Sequence, residues 1–422
     1  MNSNTIEIPQ TTQVSNGYKK TPIGLIPSDW EVKKLGEIAV IKGGKRIPKG
    51  ANLVEENTGF PYIRVTDMYM GGVDSSKILF IPKHIEPQIK NYKISKNDLF
   101  ITVAGTIGLI GEITEELDNA NLTENANKIT VKLSNKKYVY YTLTSELIQK
   151  IIIGTTTNNA QPKLALERIR DLFIPLPPLP EQQKIASILS TWDEAIDNCK
   201  GIIEELKVRN KGLAQQLLTG KMRVKGFEGS KWLLVAIKKI AKNSSKKNPS
   251  DKELIVLSCT KHNGLVPSLE YFGRKIYSDD LTTYKIVSKG QFAYATNHIE
   301  EGSIGYQSNY EEALISPMYT VFQTDETVND NFLFRILKSN NYIHEYQKRM
   351  EGSIDRRGGL RWDEFSKIKV PVPELKEQNA IVEILDKATE ELNQCQQKLK
   401  TLQLQKKGLM QQLLTGKVRV KI

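Results

Sequence analysis

Two long stretches of this chain carry apolar residues at steps of three and four. The first stretch runs from about 180 to 219 and the second from about 376 to 415. Such spacing over several heptads predicts a coiled-coil seam rather than an ordinary amphipathic helix. The seam positions are Ile185, Leu189, Trp192, Ile196, Cys199, Ile203, Leu206, Leu213 and Leu217 in the first stretch, and Ile381, Leu385, Ala388, Leu392, Cys395, Leu399, Leu402, Leu409 and Leu413 in the second.

Both stretches have the same end signals. A Pro-rich run precedes each one, and Glu181 or Glu377 lies in the first turn, where the helix dipole favours a negative charge. Gly220 and Gly416 stand where a left-handed cap ends a helix. Each stretch therefore predicts a helix of roughly 40 residues, or ~60 Å. The alternative is two surface helices that each pack on a neighbouring domain, but so narrow a stripe buries little against a globular surface.

The two stretches belong to an internal repeat. Residues 211–225 recur at 407–421, and 24 of the 51 positions in 175–225 are identical in 371–421. Asn210 and Lys406 interrupt the seam at the same place, and a polar seam residue commonly sets register or partner. Each copy follows a more variable segment that opens around Trp30 or Trp232. The chain is therefore a tandem duplication in which a variable half alternates with a conserved half.

Both variable segments are rich in short strands and turn residues. Strands are predicted in 60–68, 98–105, 128–133, 253–259 and 318–323, and helices near 137–153 and 330–350. The predicted fold is α+β: two mixed α/β domains joined by two long conserved helices, which pair as an antiparallel coiled coil with a pseudo-two-fold axis. The boundaries expected are 1–174 for the first domain (its first ~20 residues flexible), 175–225 for the central conserved region, 226–370 for the second domain, and 371–422 for the C-terminal conserved region.

The charge of the chain points to a polyanionic partner. Sixty Lys and Arg against 48 Asp and Glu leave a net charge of +12, and the pI is about 9.2. No apolar run is long enough for a membrane span and no secretory signal is visible, so nucleic acid is the expected partner and the cytoplasm the expected location. Three Cys cannot form a disulfide framework.

Loop residues rich in Lys, Arg, Asn and His are the candidate DNA contacts. Arg reads guanine, Asn reads adenine, and Lys mostly binds phosphate. The candidates are Lys42, Lys45, Arg46, Arg64 and Lys163 in the first domain, and Lys261, His262, Asn263, Asn297, His298, Arg356, Arg357 and Arg361 in the second. Any one of them can equally be a solvated surface residue.

Catalytic and metal-binding motifs are missing from the sequence. There is no P-loop, no amino-methyltransferase tetrapeptide, no HExxH and no GxSxG. The four His, at 84, 262, 298 and 344, do not have metal-ligand spacing. We therefore expect no catalytic residue and no metal ligand in this chain.

The conserved halves and the domain openings together resemble a known family. The features are the run PLPPLPEQQKIASIL, the ending KGLxQQLLTGK, and a Trp followed by Leu or Ile and then Ile-Ala at each domain opening. They resemble the specificity (S) subunit of type I restriction-modification enzymes, over essentially the whole chain. The resemblance implies two target recognition domains, each reading half of a bipartite DNA site. It also implies an antiparallel coiled coil that sets their spacing and docks the modification subunits.

The resemblance also implies that the enzymatic activities belong to other subunits of the complex. Two modification (methyltransferase) subunits would use S-adenosylmethionine to methylate adenine, and restriction (translocase and nuclease) subunits would use ATP and Mg. This chain would bind none of these cofactors, and would be a non-catalytic subunit that both activities require. Two alternatives stay open: a free-standing nucleic-acid-binding coiled-coil scaffold without a methyltransferase, and a DNA-modifying enzyme with an unrecognised site.

Overall fold

A computed structural model describes residues 13–14, 17–154, 163–244, 246–248, 253–351 and 359–422. The described chain divides into two compact units. Unit 1 comprises residues 1–200 and 397–422, and unit 2 comprises residues 201–396. The boundaries of the units differ from those of the predicted domains, because each unit combines a variable domain with parts of both long helices. None of the helices in the described part of the chain has the length and hydropathy that a membrane span requires.

The two long helices are α6 (Leu179–Leu218) and α11 (Leu375–Leu414). Each begins and ends one residue earlier than predicted. Gly220 and Gly416 follow them with φ of +70° and +68°, as expected of left-handed caps. Gly416 is also required sterically, because a Cβ there would lie 2.3 Å from the Pro27 ring.

Unit 1 contains fifteen strands and five shorter helices within the described residues. The strands are β1 (Gln13–Val14), β2 (Tyr18–Thr21), β3 (Gly24–Pro27), β4 (Glu31–Lys34), β5 (Ala39–Gly43), β6 (Pro61–Ile63), β7 (Met68–Tyr69), β8 (Gly72–Val73), β9 (Leu79–Phe80), β10 (Lys93–Ile94), β11 (Leu99–Thr102), β12 (Ile110–Glu112), β13 (Ala120–Leu122), β14 (Ala126–Val131) and β15 (Phe173–Leu176). The helices are α1 (Leu35–Ile38), α2 (Glu86–Ile89), α3 (Lys136–Thr144), α4 (Glu146–Gly154) and α5 (Leu166–Arg170).

Unit 2 has ten strands and four shorter helices within its described residues. The strands are β16 (Leu233–Ala236), β17 (Ala241–Ser244), β18 (Val256–Thr260), β19 (Gly264–Pro267), β20 (Lys285–Ser288), β21 (Phe292–Ala295), β22 (Ile304–Tyr306), β23 (Glu312–Ile315), β24 (Tyr319–Thr324) and β25 (Lys369–Val372). The helices are α7 (Ser268–Phe272), α8 (Asp330–Leu337), α9 (Asn340–Glu351) and α10 (Trp362–Phe365). The strands and helices predicted in both variable segments are thus confirmed.

The two units share one sheet topology. In unit 1 the four-stranded sheets have the orders β10-β13-β6-β9 and β12-β11-β14-β5, and in unit 2 they are β20-β23-β18-β19 and β22-β21-β24-β17. The first sheet of each unit holds one parallel pair, β6 with β13 or β18 with β23. A two-stranded pairing, β4 with β15 or β16 with β25, leads into the long helix. Unit 1 adds the small sheet β1-β2-β3 and the hairpin β7-β8.

The central strand of each unit shows why the core forms there. All four residues of β11 are buried, and their side chains alternate between two clusters. Leu99 and Ile101 join the main core, and Phe100 joins a second core on the opposite face. Strand β21 divides its side chains in the same way. A strand whose residues are all apolar, with no alternating polar positions, is therefore one that is packed against a core on both faces of its sheet.

The long helices complete the core of each unit by antiparallel pairing. In unit 1 the first half of α6 packs against the second half of α11, with Ile185 and Leu189 in the same cluster as Leu413. In unit 2 the halves exchange roles, and Leu217 lies in one cluster with Ile381. Every seam position listed from the sequence is buried or half-buried. The helices therefore serve both as a seam and as a wall of the domain cores.

Part of the N-terminal ~20 residues that the sequence predicts to be flexible lies in a strand. Strand β2 begins at Tyr18 and pairs with β3. The Tyr18 hydroxyl donates to the carbonyl oxygen of Gly416 at 2.9 Å. This contact joins the start of the first domain to the end of α11 within unit 1, a pairing that the local polarity of the segment did not indicate.

Candidate DNA interface

One edge of unit 1 gathers the loops that follow β5, β6, β11 and β13, together with the segment before α5. We call it loop edge 1, and it comprises residues 44–46, 64–67, 103–109, 123–125 and 163–164. Backbone hydrogen bonds join neighbouring loops: Lys45 N to Leu122 O (2.8 Å), Thr123 N to Ile63 O (3.1 Å), Val103 N to Asn125 O (2.7 Å) and Leu164 N to Val103 O (3.0 Å). The loops are therefore braced on one another, as a surface for recognition requires.

Loop edge 1 contains most of the predicted DNA contacts of the first domain. Lys45, Arg46 and Lys163 are exposed there, and the Lys45 ammonium lies 5.7 Å from the ring centre of Tyr92. Arg46 is 75% exposed and its Nε donates to Glu124 at 2.6 Å. Lys42 is exposed on the adjoining strand β5. The edge thus offers cations and an aromatic ring to an approaching polyanion.

Arg64 has a structural role within the same edge. Its Nε and one terminal nitrogen donate to the buried carboxylate of Asp67 at 2.9 and 2.6 Å. The same terminal nitrogen donates to the carbonyl oxygen of Lys77 at 3.0 Å. These bonds hold the 3₁₀ turn after β6, so the guanidinium is largely engaged inside the protein. The sequence did not reveal this, although Asp67 stands three residues away.

Unit 2 has an equivalent edge, loop edge 2, which comprises residues 261–263, 296–303, 316–318 and 359–361. Its loops are also joined: Lys338 Nζ donates to Lys261 O and Gly302 O (2.7 Å each), Thr296 Oγ1 to Met318 O (3.1 Å) and Leu360 N to Thr296 O (2.9 Å). Burial lowers the pKa of Lys338. Lys338 therefore ties two loops of this edge together.

The predicted contacts of the second domain that the structure describes all lie on loop edge 2. Lys261, His262, Asn263, His298 and Arg361 are exposed, and Asn297 is half-buried. Arg356 and Arg357 lie outside the described residues.

A glycine lets two loops of this edge meet. Gly359 has a φ of +65°, and a Cβ there would lie 2.5 Å from the Asn297 side-chain oxygen. Gly359 itself therefore lies close against Asn297. No contact with a base is assigned to any of these residues, and they stay predictions.

His298, Glu300 and Glu301 form the group with the best metal-ligand geometry in the described part of the chain. One ligand atom from each lies within 4.8 Å of the others. His298 and Glu301 are exposed, so the group is a polar surface cluster to which we assign no metal.

The Cys259 thiol is not suited to act as a nucleophile. Burial raises the pKa of this thiol to about 12, which keeps it protonated and unreactive.

A buried carboxylate at the start of α6 fastens the helix to unit 1. Glu181 is 1% exposed and accepts from the Trp30 indole at 3.1 Å and from two nitrogens of Arg419 at 2.8 Å each. Arg419 also binds Asp29 through two nitrogens, at 2.9 and 2.8 Å. The hydrogen bond from Arg419 lowers the pKa of Asp29. We call these four residues clasp 1.

The same arrangement recurs at the start of α11 in unit 2. Glu377 is fully buried and accepts from Trp232 at 3.0 Å, from two nitrogens of Arg223 at 2.8 Å each, and from Ser230 at 3.0 Å. Arg223 also donates to the Ser230 carbonyl oxygen at 2.8 Å. We call Trp232, Glu377, Arg223 and Ser230 clasp 2. The sequence analysis explained both Glu residues only by their favourable interaction with the helix dipole. The Trp and Arg that both repeat copies retain are the signal from which these contacts could have been predicted.

The glutamine after each Glu is a second fastening point. The Gln182 side-chain oxygen accepts from the backbone of Asn135 at 3.0 Å, and Gln378 accepts from Asn329 at 2.8 Å. Those two asparagines cap α3 and α8 through their own side chains. The buried side-chain amides of Gln182 and Gln378 therefore help to orient α3 and α8, respectively.

The polar residues that interrupt the seam have different partners in the two units. In unit 1 Lys406 forms an ion pair with Asp193, which also accepts from the Tyr141 hydroxyl at 2.6 Å. In unit 2 the Asn210 amide donates to the carbonyl oxygen of Ala388 at 2.7 Å. An ion pair thus occupies one seam and a neutral hydrogen bond the other.

Comparison with known proteins gives one consistent family. The family model described as "Type I restriction modification DNA specificity domain" matches residues 27–208 and 230–403. The type I restriction enzyme MjaVIII specificity subunit of Methanocaldococcus jannaschii is 27% identical, covering 94% of this chain and 94% of its own. The EcoBI specificity subunit of Escherichia coli is 28% identical, covering 47% of this chain and 42% of its own.

Solved structures share the fold. The S subunit of the type I restriction-modification system from M. genitalium has a TM-score of 0.51 at 16% identity, covering 93% of this chain and 96% of its own. The HsdS subunit from Thermoanaerobacter tengcongensis has a TM-score of 0.51 at 15% identity, covering 93% and 98%.

Proposed function

This chain belongs to the type I restriction-modification DNA specificity family, and from that premise we propose how its parts divide the work. Loop edges 1 and 2 each read one half of a bipartite DNA site. The paired helices set the distance between the half-sites and dock two modification subunits. The chain itself carries out no catalysis.

The observation that carries this proposal is that the same fold occurs twice, each time with a braced edge of exposed basic and amide side chains. Two edges of like topology but unlike sequence suit two different half-sites. Lys45 or Lys261 would bind phosphate, while Arg46, Asn263 or Arg361 would reach base edges. The net charge of +12 favours the long-range attraction that precedes specific binding.

The remaining chemistry is assigned to partners. The modification subunits would supply S-adenosylmethionine-dependent methylation of adenine, and the restriction subunits would supply ATP- and Mg-dependent translocation and cleavage. No cofactor is assigned to this chain, which would act in the cytoplasm where such complexes meet DNA.

Methylome sequencing tests the proposal directly. A host that expresses this chain with the modification subunit of its system is compared with a host that lacks only this gene. We expect a bipartite methylated motif that disappears when the gene is deleted. An unchanged methylome, or failure of the chain to copurify with a methyltransferase, would instead support the scaffold alternative.

A further inference from the structure

A groove lies at the same place in both units, between a long helix and the first turn of α4 or α9. In unit 1 it has a volume of about 290 Å³ and is lined by residues that include Ser145, Glu146, Pro175, Lys407 and Gln411. Lys407 and Gln411 belong to the second half of α11, and Glu146 is the first residue of α4.

In unit 2 the equivalent groove is much larger, about 1120 Å³. Its lining includes Ser339, Asn340 and Pro371, together with Lys211 and Gln215 from the second half of α6. Lys211 and Gln215 are the repeat counterparts of the lysine and glutamine that line the groove of unit 1. Asn340 is the first residue of α9, so a neutral amide stands where unit 1 has a carboxylate.

The carboxylate of Glu146 occupies the groove of unit 1. One oxygen accepts from Lys407 and Gln411, each at 3.1 Å, and the other pairs with Lys150 at 3.0 Å. The hydrogen bonds from Lys150 and Lys407 lower the pKa of Glu146 to about 2. Lysine, glutamine and the start of a helix therefore form a receptor for a carboxylate, and unit 1 supplies that carboxylate from its own chain.

The groove of unit 2 has the same receptor without its carboxylate. Lys211 and Gln215 are exposed, and their side chains have no hydrogen-bond or ion-pair partner among the described residues. The groove is also cationic, because its lining adds Lys338 and Lys369 and has Glu345 as its acidic residue, while Arg335 in the lining pairs with Asp386.

His262 and Asn263 of loop edge 2 also line the groove, but the apolar part of the lining favours a protein ligand over a nucleic acid. Leu234, Phe334 and Pro371 give the groove an apolar component, and Leu234 is 71% exposed. An acidic side chain carried on an apolar segment satisfies both parts of the groove, whereas a phosphate backbone would leave the apolar part uncovered.

We infer that the unit 2 groove binds an acidic segment of a partner protein, whose Asp or Glu carboxylate is held by Lys211 and Gln215 as Glu146 is held in unit 1. The inference rests on the proposed function, which makes the modification subunit that partner. It also makes the two docking surfaces unequal, because Glu146 fills the receptor of unit 1.

The test uses the full chain and the modification subunit of its own system. Lys211→Glu reverses the receptor charge, and Asn340→Glu supplies an internal carboxylate that copies Glu146. We expect each change to weaken binding of the modification subunit by about tenfold or more, measured by sedimentation velocity. Lys207→Glu is the matched control, because Lys207 lies one turn away on the same helix, pairs with Glu204 and does not line the groove; it should change affinity less than about twofold.

The possible results separate the inference from the proposed function. Wild-type affinity in folded Lys211→Glu and Asn340→Glu would overturn the inference and leave the proposed function intact. Loss of DNA affinity with a reduced salt dependence, at unchanged subunit affinity, would show a phosphate groove and also overturn it. Failure of the wild-type chain itself to bind the modification subunit would reject the docking role of the helices, and the inference with it.

Discussion

Units 1 and 2 are alike where they hold the long helices and different where they face a ligand. Clasps 1 and 2 use the same Trp, Glu and Arg, with matching distances. The loop edges share their topology, but a half-buried lysine braces edge 2 and an Arg–Asp pair braces a turn of edge 1. The two repeat copies have therefore kept the contacts that hold each domain on its helix, whereas the residues of the loop edges have diverged.

Within that shared plan, the clasps differ in what surrounds the arginine. The Arg419 side chain is 42% exposed and has a second carboxylate partner in Asp29, whereas the Arg223 side chain is 19% exposed and relies on Glu377. Unit 1 therefore has a second ion pair for its clasp arginine that has no counterpart among the described residues of unit 2.

Removing the clasp carboxylate should have the largest effect, and a larger one in unit 2. Glu377→Ala leaves the Trp232 indole without its acceptor and the Arg223 guanidinium without its carboxylate partner, at a cost of about 3–5 kcal/mol in the free energy of unfolding. Glu181→Ala should cost less, because Arg419 keeps Asp29. Urea unfolding with hydrogen exchange resolved by unit measures both. Equal losses would show that Asp29 adds no redundancy.

The seam residues should give the next largest difference. Lys406→Ala leaves the carboxylate of Asp193 with only the Tyr141 hydroxyl, which we expect to lower the free energy of unfolding by about 2 kcal/mol. Asn210→Ala removes one neutral hydrogen bond and should cost about 1 kcal/mol. Chemical denaturation of the full chain measures both changes. A larger loss for Asn210→Ala would reverse this ranking of the two seams.

The loop edges should separate binding from stability. Lys45→Ala in edge 1 and Lys261→Ala in edge 2 should each weaken DNA binding about fivefold and reduce the salt slope by about 1, without changing the melting temperature. Arg64→Ala is the contrasting variant, because loss of its bonds to Asp67 should lower the melting temperature. Fluorescence anisotropy at several salt concentrations and thermal melts measure these effects. If Arg64→Ala left the melting temperature unchanged, its assigned structural role would be wrong.

The smallest effect concerns the carboxylate that fills the unit 1 groove. Because the pKa of Glu146 is lowered to about 2, its ion pairs are fully present above the ordinary Glu pKa of about 4.5 and are lost as the pH falls through about 2. Lys407→Ala should raise that pKa toward the ordinary value. Carboxyl-carbon NMR titration follows Glu146 in both proteins. An unchanged titration would mean that Lys407 does not stabilise the carboxylate.

Local patterns in the chain were sufficient for its architecture. The heptad stripe predicted both long helices to within one residue at each end, because a period of three and four depends only on neighbouring positions. Short apolar runs predicted strands such as β11 and β14, since each run alone is enough to favour extended backbone. The repeat predicted the tandem plan, and its retained residues already included the Trp, Glu and Arg of both clasps.

What local patterns could not supply was the pairing of residues far apart in the chain. Glu181 meets Arg419, and Glu377 meets Arg223, only because antiparallel helices bring the start of one repeat copy to the tail of the other. The role of Arg64 depended on the turn geometry that delivers Asp67, and the carboxylate receptor depended on α4 lying against α11. Such contacts are determined by folded geometry, because chain order does not specify which distant surfaces will pack together.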